Sequence, residues 1–165
     1  MLDNSFKKIA DNTSSMLWVC NEKKEYVFFN TGWLDFRGTT MNEELIFDWE
    51  SAIHPQDVVR LQKKFDENFE HRKPYKIEYR LKRHDGTHRW VIESGRPLYN
   101  ESNQFMGFVG SCLDIHNIKE LERRKDEFIT AASHELKTPL TSLTIYLHLI
   151  QEYFKDNGPD NLKTI

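Results

Sequence analysis

The 165 residues are 38% apolar, 30% charged and 13% aromatic, enough for one ordinary domain with an appendage, and too rich in core-forming side chains to be disordered. The net charge of −3 is spread evenly, with 16 basic and 18 acidic groups in residues 1–114 and 7 and 8 in residues 115–165, so no basic stripe offers itself to nucleic acid. No apolar stretch approaches the roughly 20 residues of a membrane span, no secretory signal opens the chain, and two isolated cysteines, Cys20 and Cys112, exclude a disulfide framework or zinc site and fit a reducing cytoplasmic compartment.

Taken in chain order, Leu2, Phe6, Ile9 and Ala10 recur at helical spacing and predict an N-terminal cap helix over residues 1–12. Met16–Cys20 and Tyr26–Phe29 are short apolar runs around a polar turn, a β-hairpin. Between Thr31 and Ile53 apolar residues fall irregularly among acids and Gly38, which predicts small helical pieces. His54-Pro55-Gln56-Asp57 then opens a helix, with proline in its first turn and Val58, Leu61, Phe65 and Phe69 along one face. That helix should end between His71 and Pro74. Alternating Ile77, Tyr79 and Leu81, a His84-Asp85-Gly86 turn, the run from Trp90, a turn at Asn100–Asn103 and a last strand over 105–115 complete five strands. The predicted fold class is α+β: a five-stranded antiparallel sheet with helices inserted between strands 2 and 3, followed by a long C-terminal helix of coiled-coil or bundle type.

From Ile115 no turn signal occurs before Asn157-Gly158-Pro159. Ala132, Leu136, Leu140, Leu143, Leu147, Ile150 and Phe154 recur at spacings of 4, 4, 3, 4, 3 and 4, a heptad-like seam that a lone helix cannot bury. Upstream, Ile118, Leu121 and Phe128 continue a weaker seam among charges, as in a solvated dimeric linker. Residues 116–165 therefore read as a signalling linker and a truncated bundle helix that demands a partner, and a homodimer is expected.

Tyr26-Val27-Phe28-Phe29-Asn30, His54-Pro55-Gln56-Asp57, Tyr79-Arg80 through His84-Asp85-Gly86 to Trp90, and Gly110 to Ile115 together resemble a PAS sensor domain over residues 13–115. In that family the Asp corresponding to Asp114 ties the sheet's exit to the next helix, and Asp114 with Ile115 is the expected signal exit. His116 stands where the family usually has threonine. The segment Lys125 to Leu143, with His134-Glu135-Leu136-Lys137-Thr138-Pro139-Leu140 in register, resembles the phosphoacceptor box of sensor histidine kinases. The resemblance implies that His134 accepts the γ-phosphoryl group of ATP and passes it to an aspartate on a response regulator receiver domain.

These residue types suit that chemistry. An imidazole is largely unprotonated at neutral pH, and His134 lies about 200° around the helix from Ala132, turned away from the seam. Glu135 is the expected acid–base partner, and Thr138, four residues on, shares the histidine's face. Pro139 removes the amide that would bond the carbonyl of Glu135, so it predicts either a kink beside the nucleophile or the end of the helix; the seam continuing to Phe154 favours the kink.

The remaining histidines read as solvated turn residues without metal-ligand spacing. Trp18, Trp33, Trp49 and Trp90 read as core, or as the lining of a small-molecule pocket. No cofactor is evident: the flavin-reactive Asn-Cys-Arg-Phe stretch is absent and no histidine lies within 56–70, where a haem ligand is expected by resemblance. ATP with Mg would serve the parent kinase through a domain that these residues do not include, so the fragment alone should be inactive. The competing class is a PAS ligand- or partner-binding dimerisation module with no phosphotransfer role.

Overall fold

The computed structural model describes residues 4–157. The order of elements is α1 (Asn4–Asp11), β1 (Met16–Cys20), β2 (Tyr26–Phe29), α2 (Thr31–Arg37), α3 (Met41–Ile46), a single 3-10 turn (Trp49–Ala52), α4 (Pro55–Glu70), β3 (Tyr75–Lys82), β4 (His88–Tyr99), β5 (Phe105–Asp114) and α5 (His116–Asn157). The sheet runs β2-β1-β5-β4-β3 and every pairing is antiparallel. The expected α+β plan, with helices between the second and third strands, is the plan observed. Leu2 and the expected turn residues Gly158 and Pro159 lie outside the described residues.

Local chemistry explains the helix boundaries. Asn30 caps α2 by accepting from the Trp33 amide, and Gly38 ends it at φ +67°, a left-handed conformation that costs glycine little. Thr40 and Glu43 form a reciprocal capping box on α3. His54 caps α4 with Pro55 in the first turn. In β3 the side chains of Tyr75, Ile77, Tyr79 and Leu81 alternate inward and join Trp18, Phe29, Leu61, Phe69, Val91 and Phe108 in the main core between sheet and helices.

The opposite face of the sheet is covered in part by α1. Phe6 meets Phe28 edge-on at 5.7 Å, and Ala10, Val19 and Phe28 are buried together. This is why β1 is apolar on both faces. On the inner face Tyr75, Gly95, Gly110 and Trp18 stand in one row across β3, β4, β5 and β1. The Tyr75 and Trp18 rings lie over the two glycines, where a Cβ would come within 2.2 and 2.1 Å of ring carbons. Any side chain there would displace a large core aromatic.

Asp57 fastens α4 to β3. Its carboxylate accepts from the Arg80 amide at 3.0 Å and from Arg80 Nε at 2.8 Å, and from Arg60 at 3.3 Å. Burial works to raise its pKa, but the hydrogen bonds from the Arg80 side chain and backbone and from Arg60 outweigh it and hold the carboxyl below its ordinary value. A group depressed on folding stabilises the fold above its unfolded pKa and loses that contribution as pH falls through the folded value. Asp57→Asn is therefore expected to lower stability at pH 7 by about 2 kcal/mol. It should also flatten the decline in urea midpoint between about pH 5 and pH 3, as measured by unfolding titrations across that range.

Two compact units divide between Lys119 and Glu120, inside α5. No helix among the described residues is long and apolar enough to cross a membrane.

Candidate functional site

The junction that leaves the sheet is built from side chains at the end of β5. Asp114 Oδ1 accepts from the His116 amide at 2.9 Å and Oδ2 from Arg89 Nε at 2.6 Å. Arg89 also reaches Asn117 at 3.1 Å, and the Ile115 amide donates to the Trp90 carbonyl at 2.9 Å. His116 keeps the junction intact where threonine is usual, its Nδ1 facing the Trp90 amide at 3.4 Å. Asp114 thus receives one charged and one backbone donor, and the first turn of α5 is tied to β4 as well as to β5.

Along α5 the His134 side chain is exposed, as are Glu135 and Thr138. A shallow open groove beside the helix brings together His134, Lys137, Thr138, Thr141 and Ser142. Glu135, one position round the helix, does not line it. Pro139 does not end the helix, which continues to Asn157, so of the two alternatives helix termination is excluded. On both sides of the proline, hydroxyls donate back to carbonyls four residues earlier, Ser133 to Ile129 at 2.7 Å and Thr141 to Lys137 at 2.8 Å, a pattern that weakens the ladder locally. Leu136, Leu140, Leu143, Leu147, Ile150 and Phe154 are all more than half exposed, so the described residues leave the seam uncovered.

A second feature lies inside the sheet-and-helix unit: a cavity of about 30 Å³ bordered by Tyr26, Phe29, Trp33, Trp49, Phe65 and Glu93 among others. Of the four tryptophans, only Trp33 and Trp49 line it. Trp18 is packed in the core, and Trp90 sits beneath the Arg80 guanidinium at 5.2 Å. Sequence reasoning missed the buried polar groups here. Glu44 accepts from Trp33 Nε1 at 2.8 Å, Arg37 Nε at 3.2 Å and Thr39 at 2.8 Å. Glu93 accepts from Tyr75 at 2.5 Å, Tyr79 at 2.8 Å and Cys112 Sγ at 3.2 Å. The available signal was phase: Glu93 follows Val91 by two residues in a strand and so points inward with it.

Both cysteines are buried and free. Burial pushes the Cys20 thiol up to about 11, and burial together with the Glu93 carboxylate raises Cys112 well above the ordinary thiol range, so neither is a ready thiolate. Four of the histidines expected to be solvated turn residues are otherwise engaged, His116 through the Trp90 amide. His54 caps α4 and meets His88 edge-on at 5.1 Å, and His148 lies 3.7 Å from Glu152 one helical turn on. Among the described residues no group of three metal-ligating side chains occurs.

A PAS-type sheet with its helical insert, feeding through a tethered junction into a helix that exposes a histidine, defines a sensor unit joined to a phosphoacceptor helix. The model of the PAS fold family matches residues 26–112, more than half of the chain, and the chain belongs to that family. The His Kinase A (phospho-acceptor) domain matches residues 124–165. The chain is 35% identical over 120 residues to the uncharacterized protein y4lL of Sinorhizobium fredii, covering 73% of this chain and 14% of that protein. It is 24% identical over 165 residues to the peroxide stress-activated histidine kinase mak1 of Schizosaccharomyces pombe, covering 86% and 10%. In fold it is similar to a PAS domain from Colwellia psychrerythraea, with a TM-score of 0.58 and 20% identity over 67% of this chain and 93% of that one. The chain thus spans about a seventh or less of the length of these two curated relatives.

Proposed function

We propose that this chain is the sensing and phosphoacceptor segment of a cytoplasmic two-component sensor histidine kinase. The single observation that carries this reading is an exposed His134, in the register His-Glu-Leu-Lys-Thr-Pro, on a helix that matches the phospho-acceptor domain. One imidazole nitrogen attacks the γ-phosphorus of ATP, the bond to the bridging oxygen breaks, and ADP leaves. Glu135 takes the proton from the other ring nitrogen. The phosphoryl group then passes to an aspartate of a response regulator receiver domain, and Thr138, on the histidine's face and in the same groove, positions the water that later removes it.

The apolar seam from Leu136 to Phe154 is covered by a second copy of this chain, as the match to the phospho-acceptor domain supports. A signal in the PAS core acts through Asp114 and Ile115, whose carboxylate and amide tie the sheet's end to α5, and Pro139 is the bend that adjusts access to His134. For this to operate, the signal must bind the two states of the core with different affinities.

The test is phosphate uptake. Mixed with the ATP-binding domain of a PAS-linked histidine kinase, ATP and Mg, the 165-residue chain is expected to gain phosphate that is stable to alkali and lost in acid, as a phosphorus–nitrogen bond requires. A chain that gains none, while its apolar seam still pairs two copies, would favour the reading of a dimerisation module.

A further inference from the structure

The two buried carboxylates that border the PAS cavity differ in one respect. Glu44 is paired with the Arg37 guanidinium at 3.2 Å. Glu93, 6% exposed, has only neutral partners: two tyrosine hydroxyls and a thiol. No cation is bonded to it among the described residues. A carboxylate offers about four acceptor sites, and these three donors leave Glu93 one for a further donor. Tyr26 lines the same cavity, stacks on Phe29 at 5.3 Å, and its hydroxyl has no hydrogen-bond partner among the described residues. Trp33 and Trp49 add aromatic rings to the lining, and the face of such a ring attracts cations.

We propose that this cavity binds the ammonium group of a small primary amine, with N–H donors directed to Glu93 and to the Tyr26 hydroxyl and its charge held against the aromatic lining. Size narrows the class. A volume of about 30 Å³ limits the ligand to about two non-hydrogen atoms, the size of methylammonium.

The ligand has a route to the exit of the sheet. Glu93 on β4 pairs across the ladder with Cys112 on β5, and the Cys112 thiol donates to the carboxylate an ammonium would engage. Cys112 lies two residues before Asp114, the junction residue. This inference gives the signal in the proposed kinase a chemical class. It rests on that reading only for the consequence at His134, because binding is measured on this chain without phosphotransfer.

Trp33 and Trp49 report occupancy directly. Titration of the 165-residue chain with methylammonium chloride is expected to give a saturable change in tryptophan fluorescence with a midpoint in the millimolar range, the best that two non-hydrogen atoms allow. Methanol, its neutral isostere, and sodium chloride at matched ionic strength should give none. Glu93→Gln, which keeps size and one of the two acceptor oxygens, should raise the midpoint at least about tenfold, and Tyr26→Phe by roughly threefold. Circular dichroism establishes that each variant is folded. If Glu93→Gln does not fold, Tyr26→Phe decides, and an unchanged midpoint overturns the proposal. It is overturned equally if methanol binds as well as methylammonium, if folded Glu93→Gln binds unchanged, or if no saturation appears by about 0.1 M, well above the ligand-efficiency bound.

Discussion

Replacing His134 by glutamine is expected to reduce acid-labile phosphate uptake to background, a fall of roughly three orders of magnitude or more. Glutamine matches histidine in reach but not in chemistry. Its amide nitrogen lone pair is delocalised into the carbonyl, so it offers no nucleophile. The variant should otherwise be inert, because His134 is exposed on α5 and glutamine is a good helix former. Helicity and dimerisation should match the parent, and labelled phosphate from ATP is the measurement. Two companions separate the roles around it. Glu135→Gln should slow uptake by about 10²-fold or more, the usual worth of a general base. Thr138→Ala should leave uptake within a few-fold and act on loss of phosphate from the regulator. Full labelling of His134→Gln would place the acceptor elsewhere and overturn the assignment.

The second large effect lies in the fold. Asn30→Leu is expected to lower the unfolding free energy by about 3–5 kcal/mol, a fall in Tm of roughly 10–20 °C for a unit of this size. The Asn30 side chain is fully buried. Its oxygen accepts from the Leu17 amide at 2.7 Å and the Trp33 amide at 3.0 Å, and its nitrogen donates to the carbonyls of Ala10 at 2.8 Å and Ser15 at 2.9 Å. One amide thus joins the end of α1, the start of β1 and the cap of α2. The Trp33 amide and the Ala10 carbonyl keep second partners through the Asn30 carbonyl and the Thr13 amide, whereas the Leu17 amide loses the acceptor it has on that side chain. Leucine is of similar size, so the loss measures hydrogen bonding more than volume. Thermal and urea unfolding decide it, and a change under about 1 kcal/mol would mean that water or a backbone shift replaces these bonds.

The elements that were legible share a feature: their signals are local. The α4 start at His54-Pro55, the alternation of Ile77, Tyr79 and Leu81, and the heptad spacing from Ala132 to Phe154 each depend on backbone geometry repeated over a few residues, so periodicity alone recovers them. The phosphoacceptor box was read from its resemblance to a family motif, and spacing adds only that His134 and Thr138 lie on one face of one helix. His54 and His88 were misjudged as solvated because their meeting depends on α4 and β4 being brought together, which spacing along the chain does not encode.

What the sequence determined by itself was the order of elements, the sheet-and-helix class, the uncovered seam of α5 and the surface position of His134, because helix and strand periods convert residue spacing into facing without reference to distant parts of the chain. Only the tertiary structure decided where the polar groups are buried. Asn30 bridges three segments, Asp57 clasps Arg80 across 23 positions, and Glu93 gathers Tyr75, Tyr79 and Cys112 from the neighbouring strands. A buried donor or acceptor must find its partner wherever the fold places one, so these pairings follow strand order and register, which are settled when the whole core packs.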